Sequence, residues 1–257
     1  MTEEYSLLIG GERVAAPDGY EVINPSTEKV VGMAPNASVE QAAAACSAAR
    51  DAFDSWSRTP MGERCAILDR IADVLDAHRD ELVPLVQAET GATMRVAKTM
   101  QVPQAAARFR RYAQVETNLV PLPPAVMPTT ALAPGGIIGG VEHRAPVGVV
   151  AAIAAYNFPV TNMAGKIAPA LAMGNTLVVK PPTQDPLGVI RMCELFEEAG
   201  LPPGVVNVVS ADTVEAAEAV TTSPDVDMIS FTGSTAVGSA IFEAGGFTMK
   251  RLLLELG

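Results

Sequence analysis

Apolar and polar positions change period three times along the chain. At the start, YSLLI and YEVI read as short strands, separated by Gly10, Gly11, Pro17, Asp18 and Gly19 and followed by the turn NPST. From Ser38 the spacing becomes helical. Val39, Ala42, Cys46, Ala49 and Phe53 trace one face, and Ser38 followed by Gln41 predicts a capping box. Pro60 opens a second predicted helix carrying Ile67, Ile71, Val74, Leu75 and Leu82, and a third runs from Met94 to Tyr112 with Pro103 inside it. Residues 121–140 then hold five prolines, four glycines and no charged side chain, which excludes a regular helix and predicts a long extended excursion.

Beyond the excursion, five apolar runs alternate with helical spacing. They are VGVVAAIA (147–154), TLVVK (176–180), VVNVV (205–209), MISF (228–231) and a last strand within 250–255, with helices expected over 161–173 and 187–199 and from Val214 and Thr235. Runs apolar on both faces and joined by helices imply parallel pairing with right-handed crossovers. The expected fold is therefore α/β, a Rossmann-like parallel sheet with flanking helices. We divide the chain into strands and helices over 1–120, a Pro/Gly-rich arm over 121–145 and a parallel core over 146–257.

Composition narrows the function. The 257 residues contain 18 Lys+Arg against 29 Asp+Glu, a formal net charge of -11, which argues against a general nucleic-acid binder. A phosphate-bearing cofactor remains possible, because a few backbone N–H groups and one lysine can hold it locally. Cys46, Cys65 and Cys193 lack metal-ligand spacing and cannot all pair, which favours a reducing compartment, read as cytoplasmic. Two histidines, neither in HExxH, give no metal centre. No apolar run is long enough to span a bilayer, and the acidic opening MTEE is unlike a secretory signal.

Four local features can carry chemistry, each with a plain structural alternative. In FTGSTAVG, Phe231 ends a strand, Gly233 permits a tight turn, and Ser234 and Thr235 open a helix whose unpaired N–H groups suit a pyrophosphate or merely close an ordinary turn. In VVKPPTQDP, Lys180 leaves a strand just before two prolines, placed for sugar hydroxyls or phosphate or simply solvated, with Thr183 a weaker partner. In AYNFP, Asn157 offers an amide donor to an oxyanion or to a loop carbonyl. In LLLELG, Glu255 lies in an apolar run, where desolvation would raise its pKa toward that of a general base; a solvent-facing strand edge is the alternative.

Taken in order, AYNFP, APALAMGNTLVVKP, EEAGLPPGVVNVV, DVDMISFTGSTAVG and LELG resemble the nicotinamide-cofactor half of the aldehyde dehydrogenase superfamily, and NPSTEKVVG with the helices after it is similar to that family's amino-terminal portion. The resemblance implies an oxyanion-stabilising role for Asn157, a ribose contact for Lys180, a pyrophosphate turn at Gly233 and Ser234, and water activation by Glu255. It also places Phe231 and Thr232 near the nicotinamide and Lys166 near the asparagine. Tyr156 stands where the family usually has tryptophan. Thr183 stands where many NAD-preferring members have glutamate, so NADP is expected alongside NAD as cofactor. The arm at 121–140 resembles the family's oligomerisation arm, which implies a homo-oligomer.

The implied reaction is oxidation of a small-molecule aldehyde to a carboxylic acid through a thiohemiacetal and a thioester. The family's nucleophilic cysteine lies beyond LELG, and none of the three cysteines stands at a matching position. The competing class is a catalytically incomplete NAD(P)-binding or interaction fragment. A generic Rossmann reductase is disfavoured by the missing GxGxxG.

Overall fold

A computed structural model describes residues 5–115 and 119–257. The acidic opening, residues 1–4, lies outside the described residues. The chain begins with four short strands, β1 (Leu7–Ile9), β2 (Glu12–Val14), β3 (Asp18–Ile23) and β4 (Val30–Asn36). Of these, β2 and β4 were not legible from periodicity. Helix α1 (Val39–Arg58) opens with the expected box: Ser38 Oγ accepts from Gln41 N at 3.2 Å and Gln41 Oε1 from Ser38 N at 3.1 Å.

The second predicted helix is two helices, α2 (Met61–Ala77) and α3 (Arg79–Thr90), so Leu82 belongs to α3. His78, at φ -92° and ψ 16°, leaves helical geometry between them. The third is interrupted as well. α4 (Met94–Val96) runs into a π-helical turn, Ala97–Gln101, and then α5 (Val102–Tyr112). Pro103 has no N–H to give an α-helical bond, and the wider turn just before it accommodates that loss.

The 121–140 excursion is extended and pairs with itself, as an antiparallel hairpin of β5 (Leu119–Met127) and β6 (Gly136–His143). The remaining elements alternate: β7 (Val149–Ile153), α6 (Pro159–Ala172), β8 (Thr176–Lys180), α7 (Leu187–Glu194), β9 (Val206–Val208), α8 (Val214–Thr222), β10 (Met228–Gly233), α9 (Thr235–Gly246) and β11 (Arg251–Leu256). Helix α7 stops earlier than the predicted 199, and the chain continues in turns to Gly200.

One seven-stranded sheet runs β11-β10-β7-β8-β9-β1-β2. The five strands after residue 146 are mutually parallel, and β1 and β2 from the start of the chain extend the sheet antiparallel beyond β9. Period-two alternation sends Val149 and Ala151 to a core shared with Ala42, Cys46 and Ala49 of α1, and Val150 and Ala152 to the opposite core with Ile71, Phe109, Ile167 and Leu171. Both faces of the sheet's centre are covered by helices, so β7 and β8 are apolar along nearly their whole length. From β7 the chain builds outward through β8 and β9, then returns to place β10 on the other side of β7. The sheet therefore reverses direction between β7 and β10, and a crevice opens at their carboxyl ends.

Candidate functional site

That crevice is a cleft of about 850 Å³. Its floor is formed by Ile153 to Tyr156 after β7 and Phe231 to Ser234 at the end of β10; Lys180, Pro182, Thr183 and Gln184 approach from β8. Helices α8 and α9 supply two apolar walls, Val214 and Ala217 on one and Val237, Ala240 and Ile241 on the other. Tyr156, Lys180, Thr183, Phe231, Thr232, Gly233 and Ser234, singled out separately in the sequence, all line this one cleft. The α8 wall, including Glu218 and Thr221, was missed. Its residues form an ordinary amphipathic helix, and only the packing of α8 against α9 turns them toward the cleft.

Lys180 ends β8, and its ammonium donates to Thr183 Oγ1 at 3.2 Å, which in turn donates to the carbonyl of Ala211 at 3.1 Å. Burial pushes the Lys180 pKa down to about 8, with Asp212 partly opposing the shift. The charge is thus held at the cleft wall with few competing partners.

Ser234 caps α9, its hydroxyl accepting from Val237 N at 3.3 Å, while Gly238 N bonds the Ser234 carbonyl. Thr235 and Ala236 then present first-turn N–H groups toward the cleft end of the helix. Gly233 differs from expectation. It is the last residue of β10 and has no left-handed φ; a side chain is excluded because a Cβ would come within 2.5 Å of the Phe231 ring. The strand also runs two residues beyond Phe231, so the turn begins at Ser234.

Asn157 lies just beyond the cleft floor in the turn between β7 and α6, and is exposed. Its Oδ1 accepts from Phe158 N at 3.0 Å and from Asn162 Nδ2 at 3.2 Å. Two donors on the oxygen fix the amide orientation and leave its NH₂ as a donor toward open space. Lys166, one helical turn after Asn162, reaches Ser230 Oγ at 3.1 Å; burial lowers its pKa while Glu255 opposes that shift.

Glu255 takes the second of its two expected settings, the solvent-facing strand edge. It lies exposed on β11, the edge strand, in register with Thr232, whose hydroxyl donates to Glu255 Oε2 at 3.2 Å. The apolar run around it is only half covered on an edge strand, so its carboxylate faces solvent.

Cys46, Cys65 and Cys193 are buried and line no part of the cleft, and burial raises the pKa of each thiol. Among the described residues no group of three or more His, Cys, Asp or Glu side chains is placed to hold a metal ion, and no helix is long and apolar enough to cross a membrane.

Comparison with known proteins gives a consistent result. The aldehyde dehydrogenase family model matches residues 14–257. Phenylacetaldehyde dehydrogenase of Pseudomonas fluorescens is 40% identical over 98% of this chain and 51% of its own length. The NADP/NAD-dependent aldehyde dehydrogenase PuuC of Escherichia coli (strain K12) is 37% identical over 99% of this chain and 51% of its own length. Among solved structures, the NAD+ complex of an aldehyde dehydrogenase from Bacillus cereus superposes with a TM-score of 0.87 at 34% identity, covering 99% of this chain and 51% of that one. The chain thus spans about half the length of the curated relatives it matches.

Proposed function

Since the chain belongs to the aldehyde dehydrogenase family, we propose that it forms the cofactor-binding part of an enzyme that oxidises a small-molecule aldehyde to a carboxylic acid with NAD or NADP. The observation that carries this is the cleft at the sheet's switch point, where Lys180, Thr183 and Ser234 converge with the start of α9. Its volume and apolar walls fit a dinucleotide, with hydrogen-bonding groups confined to the floor and one end.

When bound, the nicotinamide cofactor supplies a hydride acceptor. The chain's residues supply the rest of the setting. The ammonium of Lys180 and hydroxyl of Thr183 hold ribose hydroxyls, and the first turn of α9 faces the pyrophosphate. Phe231 and Thr232 border the nicotinamide side. The free amide hydrogens of Asn157 stabilise an oxyanion on the aldehyde carbon, and Glu255, held by Thr232, takes a proton from water during release of the acid. Covalent capture as thiohemiacetal and thioester requires a thiolate. Cys46, Cys65 and Cys193 are buried away from the cleft lining and are not placed for that role.

A second reading, supported by the burial of Cys46, Cys65 and Cys193 away from the cleft lining, is that these residues by themselves bind NAD(P) without turning over aldehyde. Calorimetry of the 257-residue chain with NAD and NADP tests the binding. Micromolar to millimolar binding that weakens at least tenfold in Lys180→Met is expected; undiminished binding would remove the cleft from the proposal. Assay of the same chain for aldehyde-dependent NAD(P)H formation is expected to read as blank, and robust turnover would contradict the assigned roles. The reducing-compartment reading and self-association through the β5–β6 hairpin complete the proposal: a cytoplasmic homo-oligomer without nucleic-acid or membrane partners.

A further inference from the structure

Arg108 of α5 lies directly over the α6 backbone. A Cβ placed on Gly165 would stand 2.6 Å from Arg108 Nη1 and 3.3 Å from its Cζ, so the guanidinium occupies the space that any side chain at 165 would fill. Along α5, Gln104, Ala107, Arg108 and Arg111 are exposed at positions i, i+3, i+4 and i+7, a single stripe facing away from the core. Arg110 beside them is bound by Asp73 and Asp76. Arg108 has no carboxylate partner among the described residues, in a chain with 29 acidic and 18 basic side chains.

Gly165 stands three residues after Asn162, so the two lie one turn apart on the same face of α6. Asn162 Nδ2 is bonded to Asn157 Oδ1 at 3.2 Å. Gly165, under the guanidinium, is therefore roughly 4.5 Å along the α6 axis from Asn162, whose amide buttresses Asn157. A substrate with its carbonyl oxygen at Asn157 would extend along this face toward a cation with unspent hydrogen bonds.

We propose that Arg108, seated on Gly165, binds a carboxylate at the far end of the aldehyde, so that the substrate class is an aldehyde acid. This rests on the dehydrogenase reading above. The planar fork of arginine pairs two N–H groups with two carboxylate oxygens, and a bare glycine backbone lets the plane lie flat; a lysine in the same place would supply charge without the paired geometry.

The test compares 5-oxopentanoate with pentanal, matched in chain length and differing in the terminal charge. The complete gene product is assayed as wild type, Arg108→Gln and Arg108→Lys. Wild type is expected to favour 5-oxopentanoate. Arg108→Gln should lower kcat/KM for 5-oxopentanoate at least tenfold, mainly through KM, with pentanal losing far less and Arg108→Lys falling between. Equal losses for the two aldehydes, or no change for either, would overturn the assignment. If neither aldehyde is oxidised, the dehydrogenase reading fails by itself. The subsite is then decided by calorimetry on the 257-residue chain: binding of 5-oxopentanoate over pentanal that disappears in Arg108→Gln supports it, and equal binding of the two overturns it.

Discussion

Two residues in the cleft make predictions from their charge alone. Thr183 accepts from Lys180 and carries no charge of its own. A carboxylate there would bond the two ribose hydroxyls of NAD but repel the 2′-phosphate of NADP. Thr183→Glu is expected to weaken NADP binding by about 1.4 kcal/mol or more, a tenfold change, and to spare or improve NAD. Separate dissociation constants for the two cofactors check it, and equal losses would signal general damage to the cleft. Lys180 has a folded-state pKa of about 8 against an ordinary value near 10.5. Between those values the unfolded chain binds more protons than the folded one, so stability from this group rises as pH increases from about 8 to about 10.4. Lys180→Met should remove that rise in denaturant midpoints. Cofactor binding should move the opposite way, weakening above pH 8 as the ammonium is lost.

At the scale of elements, the sheet is pinned below the cleft by residues whose importance sequence reading did not detect. Asp227, just before β10, accepts from Val149 N at 2.8 Å at the start of β7 and from Arg50 of α1 at 2.6 Å. Gly148 has φ +129°, and a Cβ there would overlap the Asp227 carboxylate. Asn175 adds a second anchor, its Oδ1 accepting from Val147 N and Gly148 N at 2.6 and 3.1 Å. Gly148→Ala therefore strains the backbone and displaces a half-buried anchor together, and is expected to cost about 3 kcal/mol or more. Chemical denaturation measures it; a loss below 1 kcal/mol would mean that the β7–β10 junction adjusts freely. The break between α2 and α3 falls at His78, whose ring bridges Glu81 at 3.0 Å and Glu198 at 3.1 Å, the second of these 120 residues away. Periodicity within one helix carries no trace of that partner.

Across the whole molecule, the hairpin of β5 and β6 is the least covered feature. Val126 is 80% exposed, Leu132 98% and Ile137 76%, along a segment whose backbone pairing is satisfied but whose side chains are not packed. Apolar surface of this extent favours association with another chain. Sedimentation at micromolar concentration should show species larger than a monomer, and Val126→Asp with Ile137→Asp should shift the distribution toward monomer; a monomeric wild type would speak against a docking role for the hairpin.

The sequence by itself determined the parallel core, the extended character of the arm and the residues of the cleft floor. These depend on local patterns: apolar runs separated by helices, proline and glycine where hydrogen bonding is broken, a lysine and a capping serine at strand ends. For Glu255 it left a buried and a solvent-facing setting both open, because an apolar run looks alike on a central and on an edge strand, and only the strand order puts β11 outermost. Gly233 needed no unusual turn; its constraint is the ring of Phe231, two residues away on the same side of the strand. The α8 wall, the Asp227 anchor and the seat of Arg108 on Gly165 were decided by the tertiary structure alone. Each depends on side chains tens of residues apart meeting across packed elements, and no local period records which elements become neighbours.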